Sequence, residues 1–293
     1  MKFGRGDPGT AAAEPLPEED PRTEATLAAA PRGPLAANAG CPTWANKEWL
    51  GSVYPADAGD LLIAYGRAFN GIELNTTYYR IPDEATVRRW RDSVPDDFRF
   101  AAKVPQRASH EGDAGAATRF AEVMRGLGPK LGCLFLQLPP ALAPARAESL
   151  QALLDAIPAD LPLVVELRHR GWFKNGALTP QAFDLLSARN AGAVITDAPG
   201  RRDVLHVSLP RPLACVRFLA TTDDAVDHAR LDHWTARIAR WRDAGLRELF
   251  FWLHAPDNVG APGLVAAFRE RFERATGQRI RTAVLPPGQM SLL

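Results

Sequence analysis

The sequence predicts an α/β protein of the (β/α)8 TIM-barrel class, and three observations carry that reading. Eight short apolar runs recur along the 293 residues, helix-like stretches separate most of them, and nearly every run ends in a polar or charged residue. Alternating strand and helix signals build a parallel sheet with helices outside, and eight such units in roughly 250 residues suit a closed barrel. Barrels of this kind place their active sites at the C-terminal ends of the strands. The polar strand ends are therefore expected to meet in one mouth.

The runs lie at residues 35–43 (the weakest), 69–75 (FNGIELN), 98–103 (FRFAAK), 131–137 (LGCLFLQ), 161–169 (LPLVVELRH), 191–197 (AGAVITD), 214–219 (ACVRFL) and 248–254 (ELFFWLH). Alternate side chains of a strand point to opposite faces, so parity separates barrel-facing from helix-facing residues. It turns Glu73 and Asn75 inward on the second strand, and Ala101 and Lys103 on the third. Cys133, Phe135 and Gln137 follow on the fourth, Glu166 and Arg168 on the fifth, and Ile195 and Asp197 on the sixth. The seventh contributes Cys215 and Arg217, and the eighth Trp252 and His254.

The intervening helices follow from apolar spacing. Residues 57–69 carry Leu61, Leu62, Tyr65 and Phe69 as a stripe for packing on the barrel, and Pro82-Asp83-Glu84 opens a second helix. Further helices are expected near 116–127, 146–157, 179–190, 231–244 and 262–276. Residues 200–212 show no helical stripe, so the outer ring is expected to be incomplete between the sixth and seventh strands. Residues 1–38 are rich in Pro, Ala and Glu, with an acidic Glu18-Glu19-Asp20 cluster and no apolar core of a secretory signal. They read as a disordered extension to a single barrel domain at 39–293.

Bulk composition is permissive. With 46% hydrophobic residues the chain can bury one large core, and a net charge of +1 gives no indication of nucleic acid as a partner. No apolar stretch approaches bilayer-spanning length, so no membrane association is expected. The three cysteines include no CxxC pair, and Cys133 and Cys215 sit inside strand runs as small buried thiols. A reduced, cytoplasmic protein fits; composition leaves the oligomeric state open.

Longer motifs add a resemblance. Gly40-Cys41-Pro42-Thr43-Trp44 is followed by Val53-Tyr54-Pro55, and then by Ile72-Glu73-Leu74-Asn75-Thr76-Thr77-Tyr78-Tyr79-Arg80-Ile81-Pro82. Phe100-Ala101-Ala102-Lys103-Val104-Pro105 comes with His110, and Lys130-Leu131-Gly132 leads to Gln137-Leu138-Pro139-Pro140. Glu166-Leu167-Arg168-His169 with Trp172, Asp197 and Arg217 completes a pattern that resembles the YecE-like TIM-barrel family (domain of unknown function 72) over about residues 39–285. The resemblance implies a TIM barrel and no assigned reaction. Two departures stand out against the family pattern. Phe218-Leu219-Ala220 follow Arg217 in place of a polar residue and glycine. After the eighth strand Asn258 alone matches a favoured Asn-Asn pair.

The chemistry expected of the mouth rests on charge. Glu73, Glu166 and Asp197 are three carboxylates, of which one can serve as base and another as protonated acid when neighbouring charges split their pKa values. The competing reading is a buried ion network in which Lys103, Arg168 and Arg217 neutralise them. Lys103 is a Schiff-base or general-base lysine if desolvated, and stays charged if paired with Glu73. Glu73, Glu166, Asp197, His110, His169 and His254 offer donors suited to Zn²⁺ or Mn²⁺, but HxH and HExxH spacings are missing and Lys103 and Arg168 repel a cation. No metal ligand and no cofactor is therefore assigned, a divalent metal remaining the alternative. Residues 258–263 form either an N–H-rich anion loop or a plain turn before a helix. Trp44, Tyr78, Tyr79 and Trp172 either wall a pocket or pack the loops, and His206, His228 and His233 have no partner logic. Nucleophile-elbow, P-loop and GxGxxG motifs are missing.

The expected function is an enzyme doing acid–base chemistry, hydrolytic or isomerising, on a small, polar, anionic substrate. Glu73, Lys103, Glu166 and Asp197 form the expected catalytic set, with Glu73 and Glu166 as the acid–base pair. Asn75, Tyr78, His110, Gln137, Arg168, His169, Trp172, Arg217 and Asn258 form the expected binding set. The alternatives are a metal-assisted phosphoesterase acting on nucleic acid, which rests on fold analogy alone, and a non-catalytic ligand-binding barrel.

Overall fold

The computed structural model describes residues 15–256 and 258–281. Eight strands form the barrel: β1 (Ala36–Gly40), β2 (Gly71–Leu74), β3 (Arg99–Lys103), β4 (Leu131–Gln137), β5 (Leu163–Glu166), β6 (Gly192–Asp197), β7 (Leu213–Leu219) and β8 (Glu248–His254). They pair in parallel in the order β1-β8-β7-β6-β5-β4-β3-β2, so the chain winds around a TIM barrel. Side chains bridge the seam between β1 and β2, those of Asn70, Asn38 and Tyr65 among them. Asn70 accepts from Ala39 N through Oδ1 (3.0 Å) and donates through Nδ2 to Ala37 O (2.9 Å), while its carbonyl accepts from Asn38 Nδ2 (2.9 Å). The strands approach so closely there that a Cβ on Gly40 would lie 1.9 Å from Gly71 O, so glycine is required.

Outside the strands lie α1 (Pro21–Ala28), α2 (Leu61–Ala68), α3 (Glu84–Asp92), α4 (Ala114–Met124), α5 (Ala147–Ala156), α6 (Pro180–Ala188), α7 (Asp224–Ala244) and α8 (Ala261–Thr276). Asp60, Asp83, Asp113, Thr179 and Asp223 cap α2, α3, α4, α6 and α7 by accepting first-turn N–H groups. The capped α7 begins seven residues before the expected 231, because Asp223 and not the apolar pattern sets its start. Two cores result. Ala101, Cys133, Phe135, Val164, Val194, Leu213, Cys215, Phe250 and Trp252 fill the barrel, and the alternate strand residues pack against the helices.

Between β6 and β7 the described chain has only a 3-10 turn at Arg202–Val204, as the missing stripe in 200–212 implies. Helix α1 fills that place, which corrects the expectation of a disordered 1–38 for residues 15–38. Thr23 Oγ1 donates to Val207 O (3.2 Å) and accepts from Leu209 N (2.8 Å), and Asp20 accepts from Ser208 Oγ (2.6 Å). On the α6 side Arg22 stacks 4.5 Å over the Phe183 ring; on the α7 side Trp241 Nε1 donates to Glu19 (2.9 Å). Leu27 and Thr23 are buried. An eight-residue amphipathic helix among Ala, Pro and Glu is too short to show a repeat, so composition misled. The expected domain boundary at 38 falls inside β1, and residues 1–14 lie outside the described residues.

Candidate functional site

Register builds the mouth. Parallel pairing sets Lys103 beside Phe135, Gln137 beside Glu166, and Arg217 between Thr196 and Trp252, so these side chains share the interior face at the strand ends. Arg217 is the hub. Its Nε and Nη2 donate to Glu73 Oε2 and Oε1 at 2.9 and 3.0 Å, a bidentate fork. Its Nη1 donates to both oxygens of Glu166 at 3.1 and 3.3 Å. Glu166 also accepts from Gln137 Nε2 (2.6 Å) and Thr196 Oγ1 (2.9 Å), with Arg168 Nε 3.9 Å away. His254 Nε2 lies 2.9 Å from Glu73 Oε2; an ionised carboxylate only accepts, so that nitrogen carries the hydrogen.

Burial alone would push both carboxyls up. For Glu73 the Arg217 guanidinium and His254 outweigh it and hold the group well below the ordinary carboxylate range. For Glu166, Arg217, Arg168 and the Gln137 amide likewise outweigh burial and lower the pKa. Both are fixed anions.

Lys103 stands apart. It is 8% exposed, with its Nζ 4.8 Å from the Tyr78 ring centroid and 5.8 Å from that of Phe135. Among the described residues the ammonium has no hydrogen-bond acceptor and no carboxylate within ion-pairing distance. Of the two states open to Lys103, the pairing with Glu73 does not form, because Arg217 and His254 occupy that carboxylate. Burial, then the Arg217 charge, bring the Lys103 pKa down to about 8 against the pull of Glu73 and Glu166. Beside it Tyr78 Oη lies 3.4 Å from His110 Nε2, and His110 Nδ1 lies 2.9 Å from Ser109 Oγ. Burial and the charges of Arg168 and Lys103 depress the His110 pKa, which keeps the ring neutral.

Asp197 is not in the mouth, contrary to the parity reading. It faces outward and accepts from Arg230 Nε (3.3 Å) and Trp234 Nε1 (2.9 Å) of α7. Thr196 takes the inward position. Strand β6 is apolar on both faces until its last two residues, so charge suggested Asp197 where pairing with Arg217 selects Thr196. Other expected site residues serve the loops. His169 Nδ1 accepts from Gly171 N (3.0 Å), and the fully buried Trp172 donates to Leu142 O (2.7 Å). Asn75 opens the turn Thr76–Tyr78, and Asn258 sits in a left-handed conformation with its N–H on Ala255 O. Trp44 packs edge-on against Trp90, and Tyr79 is 83% exposed.

The chain matches the family described as a protein of unknown function, DUF72, over residues 38–290. It is 30% identical over 275 residues to UPF0759 protein YecE of Escherichia coli, an alignment covering 86% of this chain and 98% of that protein. The chain belongs to the DUF72 family. Crystal structures of DUF72 proteins from Enterococcus faecalis and Thermotoga maritima superpose with TM-scores of 0.62 and 0.61 at 19% and 20% identity. They cover 83% and 81% of this chain, and 96% and 98% of their own, and share its fold. Helix α1 precedes the DUF72 match. Within this DUF72 barrel the mouth sets two fixed carboxylates against Lys103, Arg168 and Arg217, among the described residues. With Asp197 committed elsewhere, the expected balance of three carboxylates against three cations does not form among the described residues. That arrangement can attract an anion and exchange one proton near neutral pH.

Proposed function

We propose that the mouth is the active site of an enzyme that carries out acid–base chemistry, hydrolytic or isomerising, on a small, polar, anionic substrate. The observation that carries the reading is Lys103: a buried ammonium without a bonded partner among the described residues, with a pKa of about 8 beside the guanidiniums of Arg217 and Arg168. A general acid–base group works best when its pKa lies near the operating pH. Glu73 and Glu166 are both held ionised, so in this reading they supply fixed charge and Lys103, with Tyr78 and His110, moves the proton. Arg168 and Lys103 receive the anion, because the donors of Arg217 are taken by the two carboxylates. A metal-assisted reaction would need those same carboxylates as ligands, and Arg217 already lies between them. Three buried free thiols, Cys41, Cys133 and Cys215, fit a reducing cytoplasm. Among the described residues no helix is long and apolar enough to cross a membrane.

Thermal melting in phosphate and in chloride at matched ionic strength tests the binding half. Because phosphate also stabilises folded proteins by exclusion from their surface, the measure is the increment lost in Arg168→Ala against an exposed control, Arg88→Ala. Equal increments in both variants withdraw the anion site. The pH dependence of Lys103 acylation tests the proton half: a midpoint about 8 is expected, and one near the value of a free lysine, about 10.4, withdraws it.

A further inference from the structure

We propose that Lys103 is a nucleophile that forms an imine with an aldehyde or ketone carrying a carboxylate or phosphate, the anionic end resting on Arg168. The proposal rests on the active-site reading above, narrows its substrate to an anionic carbonyl compound, and turns Lys103 from proton carrier to nucleophile, leaving Tyr78 and His110 to move the proton. Geometry carries it. The Nζ lies 4.8 and 5.8 Å from the Tyr78 and Phe135 ring centroids, on the strand face it shares with the small interior residue Ala101, and among the described residues no acceptor or carboxylate holds its N–H groups. Arg168 is directed to the same end of the barrel through Glu166. The Tyr78–His110–Ser109 chain adjoins the amine and offers a hydroxyl and a neutral imidazole for moving protons.

The step balances without an oxidant or a further reactant. The neutral amine attacks the carbonyl carbon, and the C=O π pair goes to oxygen, which takes up a proton to give a carbinolamine. The nitrogen lone pair then expels that hydroxyl as water, and a protonated C=N bond forms. Counted from the ammonium, one cation and one carbonyl give one iminium cation and one water. The positive charge stays on the same nitrogen, so the field of Glu73 and Glu166 that holds the lysine also holds the product. The iminium then draws electrons from the adjacent carbon, as an isomerisation requires.

The chain has five lysines, Lys2, Lys47, Lys103, Lys130 and Lys174, which makes the test direct. The full chain is incubated at neutral pH with cyanoborohydride and either glyoxylate or acetaldehyde, an anionic and a neutral aldehyde, and the reduced adducts are mapped by peptide mass. Glyoxylate is expected to label Lys103 at least about ten-fold above the exposed Lys47 and Lys174, since a lysine of lowered pKa holds far more neutral amine. Acetaldehyde should show a smaller preference, and Arg168→Ala should lower the glyoxylate preference several-fold. Labels spread by exposure alone, or equal preference for both aldehydes, overturn the proposal. Mapping the wild type itself needs no folded Lys103 variant. If Lys103 stays unlabelled while phosphate still stabilises the wild type more than Arg168→Ala, the imine falls and the active-site reading stands. If both signals are missing, both fall.

Discussion

Two buried ion clusters sit back to back on β6, and they differ in what is left over. Thr196 points into the barrel and joins Glu73, Arg217 and Glu166; its neighbour Asp197 points out and joins Arg230 and Asp227. Each cluster centres on one arginine between two carboxylates. The outer one is closed: Arg230 also donates to Leu219 O (3.0 Å), Trp234 caps Asp197, and Thr221 N caps Asp227 (2.8 Å). Both have further cations, Arg202 at 3.7 Å from Asp197 in the outer one and Lys103 and Arg168 in the inner one, and Lys103 has no bonded partner among the described residues. A buried ion pair is thus no sign of function in itself. What distinguishes the mouth, among the described residues, is a buried lysine that no carboxylate holds.

Arginine removal tests that distinction most strongly. Arg217→Met and Arg230→Met each strand two buried carboxylates, and each should cost about 3–5 kcal/mol in urea unfolding. Only Arg217→Met should raise the Lys103 midpoint, because that guanidinium lowers it. A shift caused by Arg230→Met would erase the separation between the clusters.

Lys103 itself should give the next largest effect. Its folded pKa, about 8, lies below the ordinary 10.5, so between those values the unfolded chain binds more protons. Stability of the wild type relative to Lys103→Met should therefore rise with pH across that window, by up to about 3 kcal/mol at 1.36 kcal/mol per unit. A flat difference from pH 8 to 10.5 would mean that the lysine is charged at no cost.

Removal of residues 1–30 should lower the melting temperature by at least about 5 °C, near 2 kcal/mol for a chain of this size. An unchanged melt would show that α1 contributes nothing to the barrel. Thr196→Val should be the mildest change. It takes one hydrogen bond from a buried carboxylate, about 1.5 kcal/mol, and should leave the outer cluster and α7 intact. A loss as large as that of Arg217→Met would show that Thr196 orients the whole network.

The barrel and most of its mouth were legible because strand parity converts a run of letters into faces. Glu73, Lys103, Gln137, Glu166, Arg217 and His254 all project where alternation puts them. Parity failed on β6, whose two faces are equally apolar, so nothing before Thr196 and Asp197 fixed the phase. Nor does spacing reveal which carboxylate an arginine will take; the partnership of Glu73 with Arg217 joins residues 144 apart. That is why a Glu73–Lys103 pair on adjacent strands looked natural and does not form. Helix α1 was missed for a related reason, since its apolar partners come from the distant half of the chain.

The position of α1 also bears on how the protein is made. It is the first described helix to leave the ribosome, yet its bonds reach Val207, Ser208 and Trp241, at separations of 184, 188 and 222 residues. For most of synthesis those partners do not exist. Closing such a span costs loop entropy that local helices avoid, so α1 is expected to dock late, after β7 and α7 have been made. Until then the flank between β6 and β7 lies uncovered, and a nascent or truncated chain exposes there an apolar surface of the kind that self-associates.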